Sequence, residues 1–383
     1  MDTIMNVMKH LASDIGVRVG GTDAAHTAAE YLHDTFSDLG YDPKLQSFKF
    51  EGYEVTHDWE LDVLSHDVEL DVAPVLYSES TPADGIEGTL REAGTAYLVE
   101  ELFELPRYEI VNNDGDHLAY LLANVDGAAF PIPSTKPQFV DTYGLISSDG
   151  MEWVDEQLEA EEEVRVAFAC GGERVADYVD HNVVATVEGT EKPNEEVVIG
   201  AHYDSAYQAT GAADNASGVE ALVNVAAHYA EHPPDRTLTF VAYGSEEWWL
   251  VGSRYYVNER KATGTLDDVV AKVNIDMAGG GELLNVWAGE GDIKTIAGDA
   301  VQQVLDGDAN RHYQKVISGS DHWPFYQEGI PVAMLIFWPY EQYHQPSDDI
   351  DKVSSEDIAD TTAIVKHIVD NLDRSPEFAG TEH

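Results

Sequence analysis

The sequence predicts an α/β fold: a helix-sheet-helix domain with a largely parallel central sheet, interrupted by an inserted small β-rich domain. Three observations predict it. After Asn182, short and wholly apolar runs alternate with stretches of helical periodicity. From about residue 60 to 182 the texture differs, with short strand-like runs separated by Gly, Pro and Asp. Acidic and imidazole side chains then gather directly behind the later apolar runs, at the strand ends where ligands bind in open α/β sheets. The expected organisation is a discontinuous domain of residues 1–60 and 183–383 with an inserted domain of 61–182.

Along the chain, Ala28, Tyr31, Leu32, Phe36 and Leu39 fall mostly three and four residues apart, which predicts a helix over 27–39 that Gly40 stops. Residues 44–50 then alternate like a strand. In the middle segment V-L-Y (75–77), A-Y-L-V (96–99), A-Y-L-L (119–122) and V-R-V-A-F-A (164–169) read as short strands. Met151, Val154 and Leu158 mark one helix there, over 150–158. V-V-I-G (197–200), L-T-F-V-A (238–242), A-K-V-N-I (271–275) and V-A-M-L-I-F (332–337) read as strands buried on both faces, the pattern of parallel sheets. Between them Val219, Leu222, Val223, Ala226 and Tyr229 form the stripe of a helix over 217–229, which Pro233-Pro234 ends. Further helices are expected over 293–305 and 356–372, the last capped by Ser354 or Ser355.

Charge narrows the function classes. Lys plus Arg number 21 against 72 Asp plus Glu, a formal net charge of -51 spread along the chain. Such a surface repels nucleic-acid phosphates and anionic membranes, so neither is an expected partner. Its self-repulsion calls for salt, because the screening length shrinks to about 3 Å near 1 M. Scarce lysine on an acidic surface resembles the proteins of salt-accumulating halophiles. No apolar run approaches the roughly 20 residues that span a bilayer, and residues 1–18 lack a secretion signal, so a cytoplasmic location is expected. Cys170 is the single cysteine, which excludes an intrachain disulfide and a zinc-thiolate cluster; it reads as a small buried hydrophobe.

The chemistry lies in G-A-H-Y-D-S (200–205), A-D-N-A-S-G (213–218), G-S-E-E-W-W (244–249), N-I-D (274–276) and His344. Paired acids and histidines at this density suit divalent zinc ions that share a carboxylate and activate a water. His202 and Asp204 are two apart in extended chain and so point the same way, which lets Asp204 accept one imidazole N–H while the other nitrogen holds metal. Asp214 precedes a helix, where a carboxylate serves either the helix N-terminus or a metal. Asp276 ends an apolar run and reaches the crevice. Glu246 and Glu247 repel one another unless a cation lies beside them; one can bind metal while the other takes and returns a water proton. A serine hydrolase fits poorly, since there is no G-x-S-x-G, and no H-E-x-x-H zinc helix is present.

These motifs, with S-G-S-D-H-W-P-F (318–325) and Y-H-Q-P-S-D-D-I-D (343–351), resemble in order and separation the M28 family of co-catalytic zinc peptidases, over roughly two thirds of the chain. The resemblance implies two zinc ions: His202 and Asp276 on one, Glu247 and His344 on the other, with Asp214 bridging. It further implies Glu246 as general base and then acid, Asp204 orienting His202, and Tyr343 available to the developing oxyanion. It gives the metal to His344 and makes Ser320, Asp321 and His322 a pocket-lining loop. Residues 62–180 resemble the protease-associated domain that relatives insert here. The implied activity is removal of N-terminal residues from peptides with a free amine. Carboxypeptidase, dipeptidase or glutaminyl cyclase chemistry on the same scaffold, and a non-catalytic receptor-like protein, are the alternatives; Arg254, Arg260 and Arg311 are the candidates for a carboxylate clamp.

Overall fold

The computed structural model describes residues 6–97, 104–125, 127–133, 141–289, 291–305 and 311–374. They form two units, 1–49 with 179–383, and 50–178. The chain opens with α1 (Asn6–Lys9), a π-helical turn His10–Ile15, and α2 (Asp23–Asp38). This second helix starts earlier than the expected residue 27 because the Thr22 hydroxyl accepts the Ala25 N–H at 3.3 Å and caps it. Strand β1 (Lys44–Val63) follows and carries the chain past Lys49 into the second unit.

That unit holds β2 (Val72–Leu76), β3 (Ile86–Tyr97), β4 (Glu104–Val111), β5 (His117–Ala123), β6 (Ile132–Pro133), β7 (Tyr143–Ile146), α3 (Ser148–Glu159) and the first part of β8 (Arg165–Val187). Leu98 and Val99 of the expected 96–99 strand lie outside the described residues. Its strands run β8-β3-β4-β5-β7-β2-β6, antiparallel except at β5/β7 and β2/β6. The Ser147 hydroxyl caps α3 by accepting the Gly150 N–H at 3.1 Å, and Val154 is fully buried.

The first unit continues through β9 (Lys192–His202), α4 (Gly218–Glu231), β10 (Arg236–Tyr243), α5 (Val251–Thr263), β11 (Val269–Asp276), β12 (Leu284–Ala288), α6 (Asp292–Val304), β13 (Arg311–Gln314), α7 (Trp323–Gln327), β14 (Val332–Phe337) and α8 (Ser355–Arg374). Its strand order is β13-β12-β14-β11-β9-β10-β8. The expectation of a largely parallel central sheet is wrong: the sheet is mixed. Antiparallel ladders join β10 to β8 and β12 to β14, and antiparallel pairing prevails among the strands of the second unit. Apolar runs report burial on both faces but carry no information on direction. Here a turn over 188–191 reverses the chain between β8 and β9, and β10 inserts between them, parallel to one and antiparallel to the other.

Alternation along the strands fills two apolar layers. Val197, Ile199, Phe240, Val273, Ile275 and Leu335 pack with α1, α2, α4, α6 and α8. Val198, Val241 and Val332 face Tyr256 and Val257 of α5 and Phe325 of α7. Because β9 is parallel to both β10 and β11, the C-terminal ends of these three strands share one edge of the sheet. Among the described residues no helix is long and apolar enough to cross a membrane.

Candidate metal centre

His202 is the last residue of β9, Asp276 the last of β11, and Glu246 follows the end of β10 by three residues. Asp214 lies in the irregular turn Ala212–Ser217 that leads into α4, and His344 in the turns after β14. His202, Asp214, Asp276 and His344 are all buried. His202 Nε2 stands 3.2 Å from Asp214 Oδ1, 3.4 Å from Asp276 Oδ1 and 3.9 Å from Glu246 Oε2. His344 Nε2 stands 3.5 Å from Asp214 Oδ2 and 3.1 Å from Glu247 Oε2. Two clusters, His202–Asp214–Asp276 and Asp214–Glu247–His344, therefore share Asp214, each offering a different oxygen.

The donor set fits zinc. Ligands about 2.0–2.1 Å from a tetrahedral ion are separated by about 3.3 Å, and the imidazole–carboxylate gaps within the two clusters run from 3.1 to 3.5 Å. Glu247 Oε1 and Asp276 Oδ1 are buried with no hydrogen-bond partner, a costly condition for a carboxylate oxygen unless a cation takes it. Electrostatics point the same way. Burial pushes the Glu246 carboxyl well above its ordinary range; His202 opposes this, and Asp321, Glu247 and Asp276 add to it. Burial likewise raises Glu247 and Asp276. Burial acts against a charged His344, but Glu247 and Asp214 outweigh it and lift its pKa to about 10. Acids packed this closely need protons or cations among them.

Asp204 does something the sequence reading missed. His202 Nδ1 is 3.5 Å from its Oδ1, longer than a normal hydrogen bond, whereas its two oxygens accept the backbone N–H groups of Glu246 at 3.0 Å and Glu247 at 3.1 Å. It grips the turn that presents both glutamates. Three further residues escaped the sequence reading. Asp180, fully buried, accepts from Ser245 Oγ at 2.6 Å and Tyr203 OH at 2.8 Å, steadying the other end of that turn. Asp348 accepts from the backbone N–H of Ala213 and Asp214 and from Tyr340 OH. Arg18, fully buried, donates to the carbonyls of Gly16, Tyr203, Thr210 and Gly211 and ties the N-terminal segment under the crevice. Asp348 had a signal, since it lies in Y-H-Q-P-S-D-D-I-D; Asp180 and Arg18 had none.

The remaining candidates separate cleanly. Tyr343 stacks on the His344 ring at 3.8 Å and meets Trp338 edge-on at 5.1 Å. His322 is absent from both clusters; its Nε2 faces the Ile317 carbonyl at 2.8 Å and burial lowers its pKa to about 3, so it is neutral. Among other aromatic residues, Trp248, Phe325 and Tyr340 are buried, and Trp248 Nε1 donates to the Gly20 carbonyl; Trp249, Trp323 and Trp338 are half-buried. Arg260 is held by Glu196 through two hydrogen bonds and lies at the opposite end of the sheet. Six residues of strand, about 20 Å, separate Glu196 from His202 along β9. Arg254 is exposed and donates to the Trp249 carbonyl, and the side chain of Arg311 lies outside the described residues.

Residues 182–369 match the sequence profile described as Peptidase family M28. Aminopeptidase YwaD of Bacillus subtilis (strain 168) is 26% identical over 394 residues, spanning 92% of this chain and 80% of that protein. Among solved structures, an aminopeptidase from Aneurinibacillus sp. strain AM-1 superposes with a TM-score of 0.74 at 23% identity, covering 100% of this chain and 96% of its own. A Peptidase M28 precursor from Shewanella amazonensis SB2B gives 0.79 at 20% identity, covering 98% and 94%. With two metal-ligand clusters joined through Asp214 and this match in sequence and fold, the chain is a metallopeptidase with the fold of the M28-family zinc aminopeptidases.

Proposed function

We infer that this protein removes the N-terminal residue from peptides with a free α-amine, using two zinc ions. The observation that carries this reading is Asp214, whose two oxygens face His202 and His344 in separate clusters. His202 and Asp276 would hold one ion, Glu247 and His344 the other, with Asp214 common to both. Zinc bound there would supply Lewis acidity, favouring deprotonation of a water and polarising the scissile carbonyl. Glu246 has the position for the proton work: it borders the His202 cluster at 3.9 Å and belongs to neither of the two Asp214 clusters. It accepts the proton of the attacking water and returns it to the leaving amine. Tyr343, anchored on the His344 ring, offers its hydroxyl to the oxyanion. A free α-amine suits an acid-rich crevice, whereas a substrate carboxylate would find Arg260 already paired and at the far end of the sheet.

The deciding experiment combines metal analysis with blocked substrates. Two zinc ions per chain are expected, with activity abolished by chelation and restored by zinc. Acetylating the α-amine of a good peptide should lower kcat/KM at least about 100-fold, roughly 2.7 kcal/mol. Full turnover by metal-free protein, or equal turnover of free and acetylated peptides, would overturn the reading.

Two further assignments complete the proposal. The inserted segment is protease-associated-like, a reading supported by its antiparallel strands. The net charge of -51 fits a protein adapted to a salt-rich milieu. Its melting temperature should rise between about 0.1 M and 1 M KCl as repulsion is screened, and a salt-independent value would refute the halophilic assignment.

A further inference from the structure

Strand β11 carries a polar row as well as an apolar one. Val273 and Ile275 enter the core beside α4, so Lys272, Asn274 and Asp276 share the opposite face. Lys272 and Asn274 are fully buried, as are Ser320, Asp321 and His322. Asn274 Nδ2 donates to Ser320 Oγ at 2.9 Å, and Ser320 Oγ donates to Asp276 Oδ2 at 2.7 Å. The Lys272 ammonium lies 4.8 Å from the centre of the Tyr243 ring and 5.5 Å from that of Phe325. Room for it comes from Gly200, where a Cβ would sit 2.6 Å from Nζ and 2.5 Å from Tyr243.

Around this row, Lys272 Nζ, Asn274 Oδ1, Tyr243 OH and His322 Nδ1 are buried with no hydrogen-bond partner, and the buried Asp321 carboxylate meets the Ser253 hydroxyl. Ser253, alongside Asp321, donates to the Leu250 carbonyl at 3.3 Å. The inventory of donors and acceptors is balanced. Lysine and tyrosine supply donors; Asp321, Asn274 and the Nδ1 of a His322 whose Nε2 donates to Ile317 supply acceptors. Buried polar groups of matching type at more than direct contact are what internal waters bridge. The two charges also act on each other: burial pushes the Lys272 ammonium down to about 7 while Asp321 opposes it, and burial raises Asp321 while His202, the Ser253 hydroxyl and then Lys272 oppose it.

We propose that Lys272 and Asp321 form a buried, water-bridged ion pair that fixes the 320–322 loop, so that Ser320 positions Asp276 for its metal. Both are positioning residues, acting through Ser320. The positioning half rests on the two-zinc reading above; the pair itself does not.

The test uses the full chain with Lys272→Met, Asp321→Asn, the double variant, and Ser320→Ala. In metal-free protein each charge removal should lower the melting temperature, and the double variant should recover much of the loss, because removing one partner strands a buried charge. Additive losses would overturn the pair. Competition with a chromogenic chelator then reads the two zinc affinities. Asp321→Asn should weaken one zinc equivalent at least about 10-fold and leave the other within about 2-fold. Ser320→Ala should weaken the same equivalent, and adding Asp321→Asn to it should cost little more. Unchanged zinc affinities beside a coupled melting temperature would make the pair merely structural and overturn the positioning role. A wild-type protein that binds fewer than two zinc ions would overturn the two-zinc reading and the positioning role with it, while the metal-free cycle still decides the pair.

Discussion

His202 and Asp276 are the final residues of two sheet strands, whereas Glu247 and His344 stand on turns whose backbone enters the left-handed region at Ser245 and at His344 itself. The strand-held half inherits its position from the ladder that sets His202 opposite Tyr243 and Asp276 opposite Ile336. The turn-held half has no ladder, and a left-handed non-glycine residue costs of order 1 kcal/mol or more. The Glu247 turn is held instead by side-chain carboxylates: Asp204 on the N–H groups of Glu246 and Glu247, and Asp180 on the Ser245 hydroxyl. The difference teaches that the strand-held half leans on its ladder, with Ser320 as the side-chain support of Asp276, while the Glu247 turn should loosen when Asp204, which grips its backbone, is changed.

The largest expected effect breaks the chemistry without touching either half. Glu246→Gln should keep two zinc ions and lower kcat at least about 100-fold, since the amide cannot accept a proton; zinc content and kcat measured together check it. Next comes Glu247→Gln on the turn-held half, which should weaken one zinc so that excess metal restores part of the activity. If Glu246→Gln lost metal while Glu247→Gln kept it, the two roles would be exchanged.

Asp204→Asn probes the carboxylate grip directly. One oxygen can still accept, but an NH2 group would then face a backbone donor, at a cost of about 1–3 kcal/mol. A lower melting temperature with zinc on the Glu247 side released first is expected. Release from the His202 side first would make imidazole orientation, rather than the turn, the main task of Asp204.

The last effect lies away from the metal ligands and concerns a buried carboxylate satisfied without a cation. Glu220 accepts from the N–H groups of Val7 and Met8 at 2.7 and 3.0 Å, yet burial raises its pKa to about 7. A folded-state pKa above the unfolded value means the folded protein binds the extra proton, so this group lowers stability as pH rises from about 4.5 to about 7, by up to about 3 kcal/mol. Glu220→Gln keeps the accepting oxygen and should flatten that slope in melting curves at low and neutral pH. An unchanged slope would show that Glu220 is charged in the folded state.

Much of the crevice is legible in the chain itself. His202, Asp214, Glu247, Asp276 and His344 each follow an apolar run or lie in a motif, and they do converge. The helices over 27–39, 217–229, 293–305 and 356–372 each meet a helix in the structure, because one stripe of apolar residues at helical spacing is a local property. Helix α5 was not anticipated; its only buried apolar anchors are Tyr256 and Val257. β12 and β13 were missed because five and four residues are too few to establish a period.

By itself the sequence determined which residues could ligate metal, where the buried strands lie and how strongly acidic the surface is, since those are properties of single residues and their near neighbours. Only the tertiary structure decided the direction of each strand, and with it that the central sheet is mixed. It alone turned Asp204 towards backbone groups 42 and 43 residues away, drew Arg18 to a carbonyl 185 residues distant, and set Ser320 between Asn274 and Asp276. The physical reason is common to all of these. A buried polar group must find partners wherever the folded chain supplies them, and no local period records which distant segment that is.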